Sequence, residues 1–239
     1  MILTAHQPVY LPWLGLFHKI ALADAFVSFN QVQYLPKDWN NRNNIKTAQG
    51  PIWLTVPVLK SGYREKVLTE IEINNSIPWQ RKHWKSIQLN YKKAQYFKRY
   101  ADFFEDVYLN REWKYLADLN DYMLVRFIET LGIEVQFVDA REKDFKGKKN
   151  DLVLDMCLKM KAHMYIFGAL GKNYADVESF ERNNIKVYFQ NYNHPTYPQQ
   201  YGEFISHLSI IDLLFNCGPN SLDILLCGNI NREDLIRRF

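Results

Sequence analysis

His6, at the end of the first apolar run of the chain, is the residue near the N-terminus that is best suited to chemistry. An imidazole with a near-neutral pKa can accept a proton from a reacting group, so His6 is the first candidate for a general base. His18 and Asp212 complete the candidate catalytic set, since the carboxylate can orient a histidine or hold a hydroxyl. Ordinary alternatives remain: a histidine that hydrogen-bonds a loop carbonyl, and an acid that supports a helix dipole.

Segment 39–46 is rich in asparagine and carries two cations. Asparagine side chains both donate and accept hydrogen bonds, as sugar hydroxyls require, and a tryptophan can stack on a pyranose face. Arginine offers a planar fork for phosphate or carboxylate, and lysine a mobile point charge. Asparagine-rich turns also arise for backbone reasons. We predict a binding loop that contains Trp39, Asn41, Arg42, Asn43 and Lys46.

Two later loops also carry polar and aromatic side chains. The first follows an apolar strand at 164–168 and has two glycines, but its spacing lacks the Gly-Lys-Ser/Thr ending of a P-loop. The second, 190–201, is predicted to be a substrate loop, with a surface loop anchored by tyrosines as the alternative. The candidate binding residues of the two loops are Lys172, Tyr174, His194, Tyr197 and Gln200.

An apolar helix near the C-terminus begins just after Ser206 and Ser209 and ends at Gly218. The serine hydroxyls and the exposed backbone amides of a helix N-terminus can hold a phosphate. Ordinary helix capping requires the same serines and is the alternative.

These residues need a scaffold, and the opening of the chain predicts one. A strand at 2–6 is followed by helical spacing of apolar residues over 13–22 and a second strand at 25–29. This succession indicates a right-handed βαβ unit whose first turn faces the helix N-terminus, where anions are favoured. The turn contributes three candidate substrate-binding residues: Gln7, Tyr10 and Trp13.

The rest of the chain predicts an α/β fold with a helical insertion. Strands at 53–58 and 67–73 are expected to pair, and helical periodicity at 79–91, 96–107 and 116–131 predicts a helical lobe or lid at about 78–131. Further strands are predicted at 133–138, 164–168 and 185–189. We therefore predict a single domain, 1–239, built on a mainly parallel, Rossmann-like sheet flanked by helices.

Composition narrows the functional classes. A formal charge of +4 over 239 residues is too small to indicate a nucleic-acid role, and the basic, aromatic segment 79–85 favours a solvated helix. No apolar run is long enough to cross a bilayer and no secretory signal precedes the first strand, so we expect no membrane association and a cytoplasmic location. Three widely spaced cysteines predict free thiols, and no histidine or cysteine cluster has the spacing of metal ligands.

Longer motifs extend from one end of the chain to the other: His6-Gln7-Pro8-Val9-Tyr10-Leu11-Pro12-Trp13-Leu14-Gly15, Trp39-Asn40-Asn41-Arg42-Asn43, Trp53-Leu54-Thr55-Val56-Pro57-Val58, His194-Pro195 and 208–216. Together they resemble the WbqC-like family. Members of that family occur in bacterial gene clusters for O-antigen and related glycans, and one proposed role is transfer of glycine to an amino sugar. The resemblance implies an aminoacyl (glycyl) or acyl transferase that acts on an amino sugar or amino-sugar nucleotide in O-antigen (lipopolysaccharide) biosynthesis.

A looser similarity suggests a second enzyme class. The opening strand-turn-helix and the Ser206-x-x-Ser209 helix are similar in placement to the phosphate-binding ends of the nucleotidylyltransferase superfamily, although 12–16 reads Pro-Trp-Leu-Gly-Leu where that superfamily has His-x-Gly-His. This similarity implies an ATP-dependent nucleotidyl-transfer or adenylate-forming enzyme, with ATP and Mg²⁺ as candidate cofactors. A noncatalytic sugar- or nucleic-acid-binding protein is the third hypothesis. The residues do not specify an oligomeric state.

Overall fold

The computed structural model describes residues 1–239. Its strands are β1 (Ile2–His6), β2 (Ala25–Ser28), β3 (Arg42–Thr47), β4 (Gly50–Thr55), β5 (Gln136–Asp139), β6 (Met164–Phe167) and β7 (Lys186–Phe189). Its helices are α1 (Leu14–Ala21), α2 (Trp79–Tyr91), α3 (Phe97–Glu105), α4 (Leu116–Leu131), α5 (Asn150–Lys159), α6 (Val177–Glu181), α7 (Ile210–Cys217), α8 (Ser221–Leu226) and α9 (Arg232–Arg238). None of these helices combines the length and the apolarity needed to span a membrane.

Five strands pair in parallel in the order β5-β2-β1-β6-β7, which confirms the predicted α/β fold with a Rossmann-like sheet. Leu3 at the centre of β1 pairs with Ala25 on one side and with Tyr165 on the other. The chain builds outward from β1 to β2 and β5, and then starts again from β6 on the opposite side. The strand order therefore reverses between β1 and β6, and ligands of open α/β sheets bind beyond the carboxyl ends of the strands at such a switch point.

Helices cover both faces of the sheet. Alternate residues of a strand point to opposite faces, so Leu3 and Tyr165 pack with α5 and α6, whereas Ile2 and Ile166 pack against the ends of α1 and α9. Both faces of β6 are buried, and this inner strand is accordingly a continuous apolar run, Met164–Phe167.

The long connection between β2 and β5 contains the β3–β4 hairpin and helices α2 to α4. These helices share one hydrophobic core of 41 buried residues with α1 and α7. The ring of Phe215 in α7 lies 5.2 Å from those of Phe97 and Phe104, and Phe17 of α1 meets Phe127 of α4 edge to face. The inserted helices are thus packed onto the helices that cover the sheet.

The predicted pairing of 53–58 with 67–73 is wrong. β4 ends at Thr55 and pairs with β3, which lies in the segment predicted to be an asparagine-rich loop. Segment 67–73 instead contains a 3₁₀ turn at Leu68–Glu70, and its contact with 53–58 is reduced to one isolated bridge between Val58 and Ile73. Pro57 lacks the backbone donor that a continuing strand would need, which explains the early end of β4.

Candidate functional site

His6 is the last residue of β1 and therefore lies at the switch point of the sheet. Its ring Nδ1–H donates to the Gln7 carbonyl at 2.8 Å, which leaves the lone pair of Nε2 free to accept a proton. Desolvation of the ring and, secondly, the charge of Lys19 lower the pKa of His6 to about 3. This value is well below the near-neutral pKa assumed from the sequence. The side-chain oxygen of Gln7 accepts from Asn40 at 3.4 Å, so this predicted binding residue lines the same turn.

Lys19 of α1 is a functional candidate to which the sequence assigned no role. Its Nζ donates to the Ala5 carbonyl at 2.9 Å, one residue before His6, and the side chain is 4% exposed. Burial lowers the pKa of Lys19 to about 7. The signal in the sequence was a lysine within a short helix whose apolar residues leave almost no polar face. In the structure every residue from Leu14 to Ile20 is buried.

Three tryptophans extend from His6 toward the surface, and we call Trp13, Trp39 and Trp53 the aromatic row. The His6 and Trp13 ring centroids are 5.4 Å apart, those of Trp13 and Trp39 5.9 Å, and those of Trp39 and Trp53 5.5 Å. Trp39 is 37% exposed and Trp53 47%. The Arg42 guanidinium carbon lies 4.4 Å from the Trp53 ring centroid, a cation–π contact. Tertiary packing thus brings together three of the predicted candidates, Trp13, Trp39 and Arg42, and adds Trp53 to them.

The other candidates of the asparagine-rich segment serve the scaffold. Asn41 donates to the Val56 carbonyl at 2.8 Å, and Asn43 donates to the Leu11 carbonyl at 2.5 Å. Lys46 is buried, and its Nζ donates to the Gln199 side chain at 3.0 Å and to the Glu203 carbonyl. These polar groups already bind the protein, so the contacts of Asn41, Asn43 and Lys46 favour a structural role, and the sugar- and phosphate-binding roles stay predictions.

Tyr10 and Asp212 are two further candidates whose side chains are buried. The hydroxyl of Tyr10 is buried against His83 Nδ1, at 2.8 Å, and against the Tyr108 hydroxyl, so Tyr10 faces the core. Asp212 is fully buried and accepts from the Tyr91 hydroxyl and the Gln199 amide, both at 2.8 Å; burial raises its pKa. No histidine hydrogen-bonds to this carboxylate, so its contacts favour a structural role, and the catalytic role of Asp212 stays a prediction.

His18 and Ser209 make their hydrogen bonds within the protein, whereas Ser206 is exposed. His18 is buried with both ring nitrogens engaged, Nδ1 with the Gln190 amide at 2.8 Å and Nε2 with the Ile230 carbonyl at 3.0 Å. Ser209 caps α7 by accepting from the Ile211 amide, and the Ile210 amide donates to the Pro12 carbonyl at 2.8 Å. The predicted phosphate site at the N-terminus of α7 is therefore filled by the chain itself. Exposed Ser206 contacts its neighbour His207 at 2.7 Å.

The loop 190–201 is anchored by its own contacts, the alternative left open by the sequence. His194 donates to the Pro195 carbonyl at 2.8 Å and accepts from the His207 amide, and Tyr197 is buried beside Asp212. Gln200 reaches Asn216 at 3.5 Å. These contacts engage the polar groups of His194 and Gln200 and bury Tyr197 within the protein.

Lys172 and Tyr174 follow β6 and remain exposed, as a ligand-binding role requires. Lys172 lines a surface groove with Arg238 and Phe239 at the edge strand β7. The Tyr174 ring lies 5.9 Å from that of Phe167, the last residue of β6. Both side chains therefore border the far side of the carboxyl edge, beyond β6.

A buried acidic group lies at the ends of β2 and β5. Asp121 accepts from Ser28 at 2.6 Å and from Asn30 at 3.2 Å, and Asn30 also donates to Asp139 at 2.8 Å. Burial raises the pKa of Asp121 to about 6, against the hydrogen bonds that lower it. Sequence reasoning missed this carboxylate because a single acid in the middle of a helical pattern carries no distinguishing signal.

We expect Asp121→Asn to reveal this raised pKa in the pH dependence of stability. Between the unfolded pKa, near 4, and the folded pKa, about 6, only the native state holds the proton, so ionised Asp121 opposes folding at pH 7 and ceases to do so as the pH falls. The free energy of unfolding of wild type should rise relative to that of the variant by up to about 3 kcal/mol between about pH 7 and pH 4. Urea unfolding of both proteins measures the difference between their free energies of unfolding, in which the contributions of the other titratable groups cancel. A difference that does not change with pH would contradict the raised pKa of Asp121.

The comparisons with known proteins agree with the motifs of the sequence. Residues 7–224 match the WbqC-like protein family. The uncharacterized protein Rv1507c of Mycobacterium tuberculosis (strain ATCC 25618 / H37Rv) is 33% identical over 220 residues, which cover 92% of this chain and 95% of that relative. No solved structure matches the chain. The resemblance drawn from the motifs is thereby confirmed, and the chain belongs to the WbqC-like protein family.

Proposed function

We propose that this protein transfers an aminoacyl group, such as glycyl, or another acyl group to the amine of a nucleotide-linked amino sugar. The observation that carries this proposal is the aromatic row, which leads from an exposed surface to His6 at the switch point of the sheet. Family membership supports the glycan context, since the resemblance implies a role in O-antigen biosynthesis.

The aromatic row suits a sugar. The C–H groups of a pyranose face pack on exposed indole rings, and Trp39 and Trp53 are both exposed enough to receive one. Arg42 lies over Trp53 and is positioned to contact a phosphate of the nucleotide. The sugar ring would then lie along a path that ends at His6.

His6 suits the reacting end of that path. In acyl transfer the amine nitrogen bonds to the acyl carbon, the leaving group of an activated donor departs with the bonding electrons, and the amine loses a proton. The free lone pair of His6 Nε2 is the acceptor that we propose for this proton. The pKa of His6 is low in the free protein, and it has to rise when substrate binds for His6 to be an efficient base.

Product formation tests the proposal. Purified protein is incubated with a panel of dTDP- and UDP-linked amino sugars, glycine and ATP, and products are detected by mass spectrometry. We expect the mass of one sugar nucleotide to increase by one glycyl group. Trp39→Ala should raise the KM for that sugar nucleotide on the order of tenfold. Phe239→Ala removes a comparably exposed ring, which contacts Tyr188 rather than the aromatic row, and is the matched control.

Each outcome of this experiment separates the hypotheses. A mass gain that requires ATP and releases pyrophosphate supports amide formation through an adenylate, whereas a gain with a preactivated acyl donor alone supports simple transfer. Thermal stabilisation by a sugar nucleotide without any product under either condition would contradict the transferase and favour a binding protein. An unchanged KM in Trp39→Ala would remove the aromatic row from the sugar site.

A further inference from the structure

Lys19 is a buried cation without a counterion. It is 4% exposed, no carboxylate lies within 4.0 Å of its Nζ, and its one hydrogen bond is to the Ala5 carbonyl. An ammonium group has three N–H donors, so two of them have no protein acceptor. Buried charges in proteins are ordinarily paired, because an unpaired charge loses its hydration without compensation.

The surroundings of Lys19 indicate what the missing partner is. Ala5 is the residue before His6, so the amine lies beneath the switch point where ligands of this fold class bind. His6 is partly exposed and therefore gives a ligand access to this end of β1. His6 is also the titratable group on which the charge of Lys19 acts, and burial alone accounts for the perturbed titration of Lys19 itself.

We propose that Lys19 anchors an anion subsite at the carboxyl end of β1, which takes one negatively charged oxygen group of the substrate, either a phosphoryl or a carboxylate group. This inference rests on the proposed function only in naming the anion as part of the transferase substrate. The bound anion supplies the acceptors that the two remaining N–H groups lack, and it compensates the buried charge.

Occupation of this subsite has a consequence for His6. An anion beside Lys19 offsets the positive charge that lowers the pKa of His6, so binding raises that pKa. Binding also favours protonated Lys19, whose pKa in the free protein is about 7. The affinity for an anion of constant charge should therefore be nearly constant below about pH 7 and fall as the pH rises above it.

Histidine NMR tests the subsite without requiring turnover. The ring signals of the six histidines are followed while sulfate, a tetrahedral anion of constant charge, or acetate, a carboxylate, is added. We expect a saturable shift of the His6 signals, an upward shift of the His6 pKa, and at least about a tenfold loss of affinity in Lys19→Met. Lys85→Met is the matched control, since it removes an exposed lysine of α2 that belongs to no candidate site and should leave the affinity unchanged.

The two anions distinguish the sources. A response to sulfate alone assigns the subsite to a phosphoryl group, and a response to acetate alone assigns it to the carboxylate of the acyl donor. No response of His6 to either anion overturns the subsite, as does loss of affinity in Lys85→Met but not in Lys19→Met. Anion binding without any product would contradict the transferase and support the subsite. Product formation that is unaffected by Lys19→Met would support the transferase and contradict the subsite.

A second measurement covers the case in which Lys19→Met does not fold. Wild-type protein is treated with formaldehyde and a hydride reductant, and methylation of each lysine is mapped by peptide mass spectrometry with and without the anion that shifts His6. We expect the bound anion to slow methylation of Lys19 and not that of the exposed Lys85. Equal rates at Lys19 in both samples would contradict the subsite.

Discussion

His6→Ala is expected to lower kcat for amide formation by about 10²–10⁴-fold, the contribution typical of a positioned general base. The reason is that His6 Nε2 keeps a free lone pair at the end of the aromatic row, whereas both ring nitrogens of His18 are engaged by the protein. Initial rates of product formation by mass spectrometry, at saturating sugar nucleotide, measure the effect.

The control for this substitution is His163→Ala, which removes an exposed imidazole just before β6, at the end of the sheet opposite to His6. Its kcat should equal that of wild type. Sugar-nucleotide affinity should be retained in His6→Ala, because the aromatic row is intact. A kcat that survives in His6→Ala would mean that another group accepts the proton.

Asp212→Ala is expected to destabilise the protein by about 2–4 kcal/mol, because the Tyr91 hydroxyl and the Gln199 amide lose their acceptor inside the fold. Asp212→Asn keeps one acceptor oxygen and should lose less, about 1 kcal/mol. Denaturant unfolding at equilibrium measures both values. Asp223→Ala, at an exposed position of α8, is the control and should stay within about 0.5 kcal/mol of wild type.

The same variants separate a structural role of Asp212 from a catalytic one. The folded fraction of Asp212→Asn should keep wild-type kcat, since the carboxylate contacts Tyr91 and Gln199 and no histidine. A large loss of kcat without loss of stability would restore Asp212 to the catalytic set and contradict the role that its contacts assign.

The periodic parts of the fold were predictable. Apolar runs identified β1, β2, β6 and β7, and helical spacing located α2 and α4 with their bounds, the latter ended by Gly132 in a left-handed conformation at φ +70°. These patterns are local, so they can be recognised without knowing which elements pack against one another. The β3–β4 hairpin was missed because Asn41 and Asn43, interpreted as residues of a binding loop, bind backbone carbonyls of Val56 and Leu11 that only the folded chain brings near.

The candidate site divides in the same way. The sequence by itself determined the family, the parallel α/β architecture and the position of His6 at the end of the first strand, because all three depend on contiguous motifs or on periodicity. Tertiary structure decided which polar residues remain free for a ligand. A lysine or an aspartate looks the same in sequence whether its partners are solvent, substrate or protein, so only packing could show that Lys46 and Asp212 are satisfied within the fold and that Lys19 is not.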